Sequence, residues 1–297
     1  MKNLLTGVRF APSPTGNFHI GNLRTAWISH WWARALGQPW VVRFEDIDTA
    51  RVVTNAQARQ LADMALLNLT PDKIIVQSEQ YKRHEMLFEQ ARRENAVYPC
   101  FCSRKDILEA LNTLASAPHG EQPIYNGKCR KAEAPVHYSN PSIAWRFKNI
   151  DESGAQDFII ARTRPDGSEF VPSYHWACAI DDYDGSYALL VRAWDLAPVV
   201  PQQRAIYEWV GRTETSKPYP AVFHTALIIQ DDGHRLEKRS KGAALREILN
   251  TGLSANDIVN AFEQSFRKPF LEIKPGECLG EANRRLKLAA LGLGKTR

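Results

Sequence analysis

His19 stands at the end of a loop, Pro12-Ser13-Pro14-Thr15-Gly16-Asn17-Phe18, and just ahead of a helical pattern. An imidazole there can meet a phosphate oxygen, because a helix N-terminus offers unpaired N–H groups and a partial positive charge. Gly16 and Gly21 let backbone approach a ligand closely. A lone loop histidine is more often a surface or packing residue. A second group, Gly233-His234-Arg235-Leu236-Glu237-Lys238-Arg239, follows the turn signal Asp231-Asp232-Gly233, which places it on a loop. Such a loop can close on a polyphosphate and stabilise developing charge. Alone, it is also a solvated charge run. Arg43-Phe44-Glu45-Asp46-Ile47-Asp48 ends a buried-looking strand in carboxylates, which can hold an ammonium group or a metal at the carboxyl edge of a sheet. Asp46 and Asp48 read equally as turn formers and partners of Arg51. Cys100, Cys102 and Cys129 fall within 30 residues. Three thiolates suit zinc, which wants four ligands; Tyr125, His119 and His137 are candidates for the fourth place. The alternative is reduced, packed thiols. Cys178 and Cys278 stand alone and read as buried small side chains. No convincing Ser/His/Asp or Cys/His set is present.

These groups need a scaffold. Val8-Arg9-Phe10-Ala11 reads as a strand and Pro12 to Gly16 as loop, because two prolines and a glycine forbid regular structure. A helix follows from about Gly21 to Leu36, with Leu23, Ala26, Trp27 and Trp31 at helical spacing and Gly37 past its end. Trp40 to Phe44 is a buried strand. This strand–loop–helix–strand unit opens a Rossmann-type, doubly wound parallel sheet. Helices are expected over 55–68 and 82–95, with a strand at 74–76 between them. Residues 97–141 are rich in Pro, Gly and Cys and read as an insertion. Strands return at 144–147, 157–160 and 187–191. The domains expected are 1–96 with 142–239 as the catalytic body, 97–141 as the insertion, and 240–297 as a short helical C-terminal region of two or three helices.

The 297 residues fit one large domain or two modest ones. Hydrophobic residues are 44% and charged residues 24%, ordinary for a soluble enzyme. No run approaches the roughly 18 apolar residues of a membrane span. The N-terminus is too soon polar for a signal peptide, so a cytoplasmic protein is expected, and with no heptads a monomer. Five cysteines, an odd count, argue against a disulfide framework. The net charge of +5 permits a polyanionic partner without demanding one. Arg284-Arg285-Leu286-Lys287 reads as a solvated helix face or a contact to RNA phosphates.

The string Arg9-Phe10-Ala11-Pro12-Ser13-Pro14-Thr15-Gly16-Asn17-Phe18-His19-Ile20-Gly21-Asn22 closely resembles the signature of the glutamyl-tRNA synthetases. It contains the class I His-Ile-Gly-His element as His19-Ile20-Gly21-Asn22. Asn22 can hydrogen-bond but carries no charge. The segment 233–239 looks like the family's mobile Lys-Leu-Ser-Lys-Arg loop, with Arg235 for the first lysine, Glu237 for serine, and Lys238 matching the lysine that contacts ATP. A second register, Lys238-Arg239-Ser240-Lys241, is the alternative; Leu236 as apolar anchor favours the first. Arg43 to Asp48 resembles the family's Arg-Phe-Glu-Asp-Thr-Asp pattern, where the position of Glu45 binds the substrate amine. Tyr174 matches through Tyr174-His175-Trp176-Ala177, and Arg192 through Val191-Arg192-Ala193-Trp194-Asp195-Leu196.

The resemblance implies ATP, with Mg2+, at His19, Gly21, Asn22, Arg235 and Lys238, of which His19 and Lys238 are catalytic. It implies L-glutamate at Arg9, Phe10, Ala11, Pro12, Ser13, Glu45, Tyr174 and Arg192. Two arginines suit a substrate with two carboxylates. Activation attacks the α-phosphorus of ATP, so positioning and charge neutralisation do most of the work. Ile124-Tyr125-Asn126-Gly127-Lys128-Cys129-Arg130 resembles a segment of the glutamyl-Q tRNA(Asp) synthetases. That likeness implies structural zinc on Cys100, Cys102, Tyr125 and Cys129. About 58 residues follow Arg239, too few for the anticodon-binding domain of a full glutamyl-tRNA synthetase. The expectation is therefore glutamyl transfer to the queuosine base in the anticodon of tRNA(Asp). The alternatives are a minimal enzyme charging a tRNA 3′ end and an inactive nucleotide-binding RNA-interaction module.

Overall fold

Val8–Phe10 (β1) and Trp40–Phe44 (β2) are buried at every position, as strands covered on both faces must be. The computed structural model describes residues 6–102, 125, 127–130, 142–148, 157–166, 168–234, 236, 244–269 and 273–293. Between β1 and β2 runs α1 (Ile20–Ala35). There follow α2 (Ala56–Leu66), β3 (Lys73–Val76), α3 (Tyr81–Arg93), β4 (Val97–Cys100), β5 (Ile143–Phe147), β6 (Phe158–Thr163), β7 (Val171–Pro172) and α4 (Tyr174–Gly185). The chain continues through β8 (Leu189–Ala193), α5 (Val200–Thr213), β9 (Ala221–Thr225), β10 (Leu227–Ile229), α6 (Leu245–Leu249), α7 (Ala255–Ser265), β11 (Cys278–Gly280) and β12 (Arg285–Lys287).

The chain divides into two compact units. The first holds the described residues of Met1–Glu79, Asp182–Pro198 and Thr215–Arg297. Its sheet has the order β11-β9-β8-β1-β2-β3, with every neighbouring pair parallel. From β1 the chain builds outward through β2 and β3, and later in the other direction through β8, β9 and β11. The carboxyl ends beside β1 are therefore a topological switch point, where open α/β sheets bind ligands. This is the doubly wound sheet expected from the β1–α1–β2 pattern. Leu23, Ile28 and Trp32 of α1 pack on its face with Phe223 and with Ile258 and Phe262 of α7.

The second unit comprises the described residues of Gln80–Asp181 and Val199–Glu214. Its sheet is antiparallel, β4-β5-β6-β7. The sequence groups 142–239 with the catalytic body, but β5 and β6 pair with β4 instead. Their mixed burial suits a sheet covered mainly on one face. Composition marks where the Pro/Gly/Cys-rich stretch ends; it does not mark where strand pairing changes. After α7, two three-residue strands join the C-terminal helices, too short for a period-2 pattern to register. Arg285–Lys287 is one of them, paired with β10, so the basic stretch lies on a strand and not a helix. Cys178 is buried as expected, whereas Cys278 on the edge strand β11 is exposed. Among the described residues, no helix is long and apolar enough to cross a membrane.

Candidate functional site

β1 ends at Phe10 and the chain turns through Pro12 to Gly16. Gly16 has φ of +135°, which a side chain would disfavour. The loop carbonyls are held from the β2–α2 side: Glu45 N–H donates to Pro12 O (2.9 Å) and Val53 N–H to Pro14 O (3.0 Å). His19 is the N-cap of α1. Its Nδ1 accepts from the N–H groups of Gly21 (3.1 Å) and Asn22 (3.3 Å). Asn22 Oδ1 accepts in return from His19 N–H at 3.2 Å, completing a capping box. An accepting Nδ1 puts the proton of the neutral ring on Nε2, which is then a donor suited to a phosphate oxygen. Asn22, in the place of the family's histidine, thus holds the backbone of the residue that carries that donor. A Cβ on Gly21 would lie 3.0 Å from His19 Nδ1, so this glycine makes room for the imidazole.

Beneath the loop lies a buried charge network. Arg9 donates to Asp182 through Nε (3.1 Å) and Nη2 (2.7 Å). Arg43 donates to Asp182 through Nη1 (2.6 Å) and to Glu45 through Nη2 (3.0 Å). Burial pushes the Asp182 carboxyl up, but Arg43 and Arg9 outweigh it and hold the group below its ordinary range. At Glu45 burial wins over the same two arginines, and the carboxyl is raised. The reason is geometric: Asp182 bonds both guanidinium groups and Glu45 bonds one. Glu45 is therefore the carboxylate that gains most from another cation, and an ammonium group fits that need.

A cavity of about 270 Å³ is lined by Ala11, Pro12, Ser13, Asn22, Gln60 and Arg192, among others. Arg192 lies near the carboxyl end of β8, buried, in register with His224 of β9. Burial and the Arg192 charge lower the His224 pKa to about 4. A smaller cavity of about 50 Å³ adjoins His19, Gly21, Leu227 and Leu236. Leu236 is buried. Arg235 and Lys238, with the alternative register at Lys241, lie outside the described residues. Tyr174 is the first residue of α4 and belongs to the second unit, 38% exposed. Asp46 accepts from Ser78 N–H and Oγ–H, and Asp48 pairs with Arg51, so both act as local tethers here.

In the second unit, the sulfur atoms of Cys100, Cys102 and Cys129 lie within 4.8 Å of one another. Tyr125 Oη is 3.8 Å from Cys100 Sγ and accepts from Cys129 N–H at 2.8 Å. His119 and His137 lie outside the described residues. Arg146 donates through Nε to Cys100 Sγ at 3.2 Å, and its guanidinium sits 3.6 Å from the Tyr125 ring centroid. Burial pushes the Cys102 thiol up to about 12 and raises the Tyr125 hydroxyl well above its usual range. The Cys129 thiol moves the other way: burial raises it, but a hydrogen bond from the Phe101 backbone and side-chain hydrogen bonds from its neighbours outweigh burial and lower it. Three soft sulfurs and one oxygen, converging from β4 and the turn around Lys128–Arg130, fit a tetrahedral metal.

Residues 6–263 match the catalytic domain of the class I tRNA synthetases (E and Q). The chain belongs to this family. It is a ligase of the aminoacyl-tRNA synthetase class. Among curated proteins it is 33% identical over 278 residues to the glutamyl-Q tRNA(Asp) synthetase of Nocardia farcinica, covering 88% of this chain and 85% of that one. It is 33% identical over 286 residues to the protein of the same name from Deinococcus radiodurans, covering 91% and 92%. Among solved structures, glutamate-tRNA synthetase from Elizabethkingia anophelis superposes with a TM-score of 0.65 at 19% identity, over 97% of this chain and 69% of that one. A glutamate tRNA ligase from Elizabethkingia meningosepticum, in complex with its amino acid, gives 0.64 at 19% identity, over 96% and 68%. At that identity the likeness is one of fold.

Three residues of this synthetase's site escaped the sequence reading. Arg43 was visible within a matched string, but nothing local says that it meets Asp182. Gln60 carries one signal, an amide in the buried stripe of α2.

Proposed function

We propose that this synthetase activates L-glutamate with ATP and transfers it to the queuosine base in the anticodon of tRNA(Asp). Two observations support the reading. For activation, the loop between β1 and α1 ends on the His19 cap beside the cavity that Arg192 lines. For the acceptor, two relatives named for that reaction match along 85% and 92% of their lengths.

In this reading the glutamate ammonium sits by Glu45, the carboxylate most in need of a cation. Arg9 and Arg192, with Phe10 to Ser13, complete the amino-acid pocket. A glutamate carboxylate oxygen attacks the α-phosphorus of ATP, and the bond to pyrophosphate breaks. His19 Nε2–H, the α1 N-terminus with Gly21 and Asn22, Arg235 and Lys238 neutralise the phosphate charge, and Mg2+ bound with ATP would supply further positive charge there. A hydroxyl of the queuosine cyclopentenediol then attacks the activated carbonyl, the bond to the AMP phosphate oxygen breaks, and AMP leaves with the electron pair while the hydroxyl proton passes to the departing phosphate or to solvent. Cys100, Cys102, Tyr125 and Cys129 hold zinc, which braces the second unit and takes no part in the chemistry. The protein works as a monomer in the cytoplasm.

The test is transfer of labelled glutamate to tRNA(Asp) with and without queuosine. Label is expected on the queuosine-containing tRNA alone. Equal labelling of both would establish 3′-end charging instead.

A further inference from the structure

We propose that Gln60 is a positioning residue that sets the curvature of the nucleotide loop; the assignment of that loop to ATP rests on the activation reading above. The buried positions of α2 are Ala56, Gln60, Asp63 and Met64, a stripe at helical spacing facing the sheet. Gln60 is only 1% exposed. Its Nε2 donates to Gly16 O at 2.8 Å and to Ser13 O at 3.2 Å. Both partners are carbonyl oxygens, so the amide nitrogen must face them, and both of its protons are used. That orientation leaves Gln60 Oε1 buried with no hydrogen-bond partner.

The unpartnered oxygen is informative. A buried acceptor without a donor is unfavourable, and an aliphatic side chain of the same length would fill this place without one. Packing alone gives no reason for an amide here. What the amide adds is a pair of donors that tie two carbonyls three residues apart in the loop.

The tie closes the part of the loop that contains Gly16, the residue with φ of +135°. Val53 N–H on Pro14 O and Arg59 Nε on Asn17 Oδ1 (2.8 Å) hold the loop from the same side. Gln60 alone among these spans two carbonyls. Ser13 lines the 270 Å³ cavity, and three residues after Gly16 comes the His19 cap. Fixing Ser13 against Gly16 therefore fixes the entry to α1 and the place where His19 presents Nε2.

The test compares wild type with Gln60→Leu, which keeps the volume and removes both donors, and with Gln60→Met as a second packing variant. Amide hydrogen exchange of nucleotide-free protein is read over residues 12–17, beside the KM for ATP in glutamate-dependent pyrophosphate exchange. Loss of the two bonds should speed exchange in that segment about tenfold and raise the ATP KM about tenfold, with kcat changed less than about threefold. Protection in the rest of α1 should stay as in wild type. Unchanged loop exchange and ATP KM in both variants would overturn the proposal. So would faster exchange spread evenly through α1 and α2, which marks a packing residue only. If wild type itself shows no pyrophosphate exchange, the activation reading falls, and hydrogen exchange still decides the role of Gln60.

Discussion

Two buried clusters of titratable groups, one in each unit, solve the problem of charge in opposite ways. Arg9, Arg43, Asp182 and Glu45 set two guanidinium groups against two carboxylates. Cys100, Cys102, Cys129 and Tyr125 set four potential anions beside the guanidinium of Arg146. The first cluster balances itself, so its geometry stands ready before any ligand arrives. The second would need a cation from outside to become balanced once its thiols ionise. Removing a member from a balanced cluster strands a charge, whereas removing a member from the cysteine cluster would remove a ligand for the proposed cation.

The largest effect should come from the metal. Protein purified without added metal should carry one zinc per chain, and Cys102→Ser should lose it. Chelation should then lower the thermal midpoint by about 10 °C or more, since several kcal/mol of binding energy stabilise the fold. Stoichiometrically metal-free protein of full stability would erase the contrast. Next, Asp182→Asn should destabilise by about 3–5 kcal/mol in urea unfolding, because Arg9 and Arg43 are left buried without their shared carboxylate. A loss below about 1 kcal/mol would mean that the network is not balanced from within.

The smallest effect sharpens the comparison from its edge. His224 lies near the positive charge of Arg192, with Nδ1 3.3 Å from Leu279 O. Its pKa is about 4 in the fold against an ordinary 6.5, so the folded state favours the neutral ring. Its contribution to stability is complete above pH 6.5 and is lost as the pH falls toward 4. That limb amounts to about 3 kcal/mol, and His224→Gln should flatten it. An acid limb of unchanged slope in the variant would assign the loss to other groups.

Legibility follows the same division between local and distant. The capping box was readable in part, because His19 and Asn22 are three residues apart and adjoin a helix start. The converging cysteines were readable from Cys100-Phe101-Cys102 and Cys129, since short spacings limit where the sulfurs can go. Asp182 was not: it stands 173 residues from Arg9, and only a sheet with β8 beside β1 frames their meeting. β5 and β6 were legible as strands but not by partner, because an alternating pattern specifies a buried face and leaves the neighbour open. Gln60 was not legible either, because the carbonyls of Ser13 and Gly16 that it binds lie 47 and 44 residues away.

The sequence by itself determined the pieces whose physics is local. These are the Pro/Gly loop that cannot be regular, the helix that follows it, the spacing of the thiols, and the family signature from Arg9 to Asn22. Tertiary structure alone decided which charges are compensated. Asp182 drops below its ordinary pKa and Glu45 rises above it, though both are carboxylates buried near the same two arginines. Burial and the count of guanidinium bonds set that difference, and both are properties of the assembled sheet rather than of any stretch of chain.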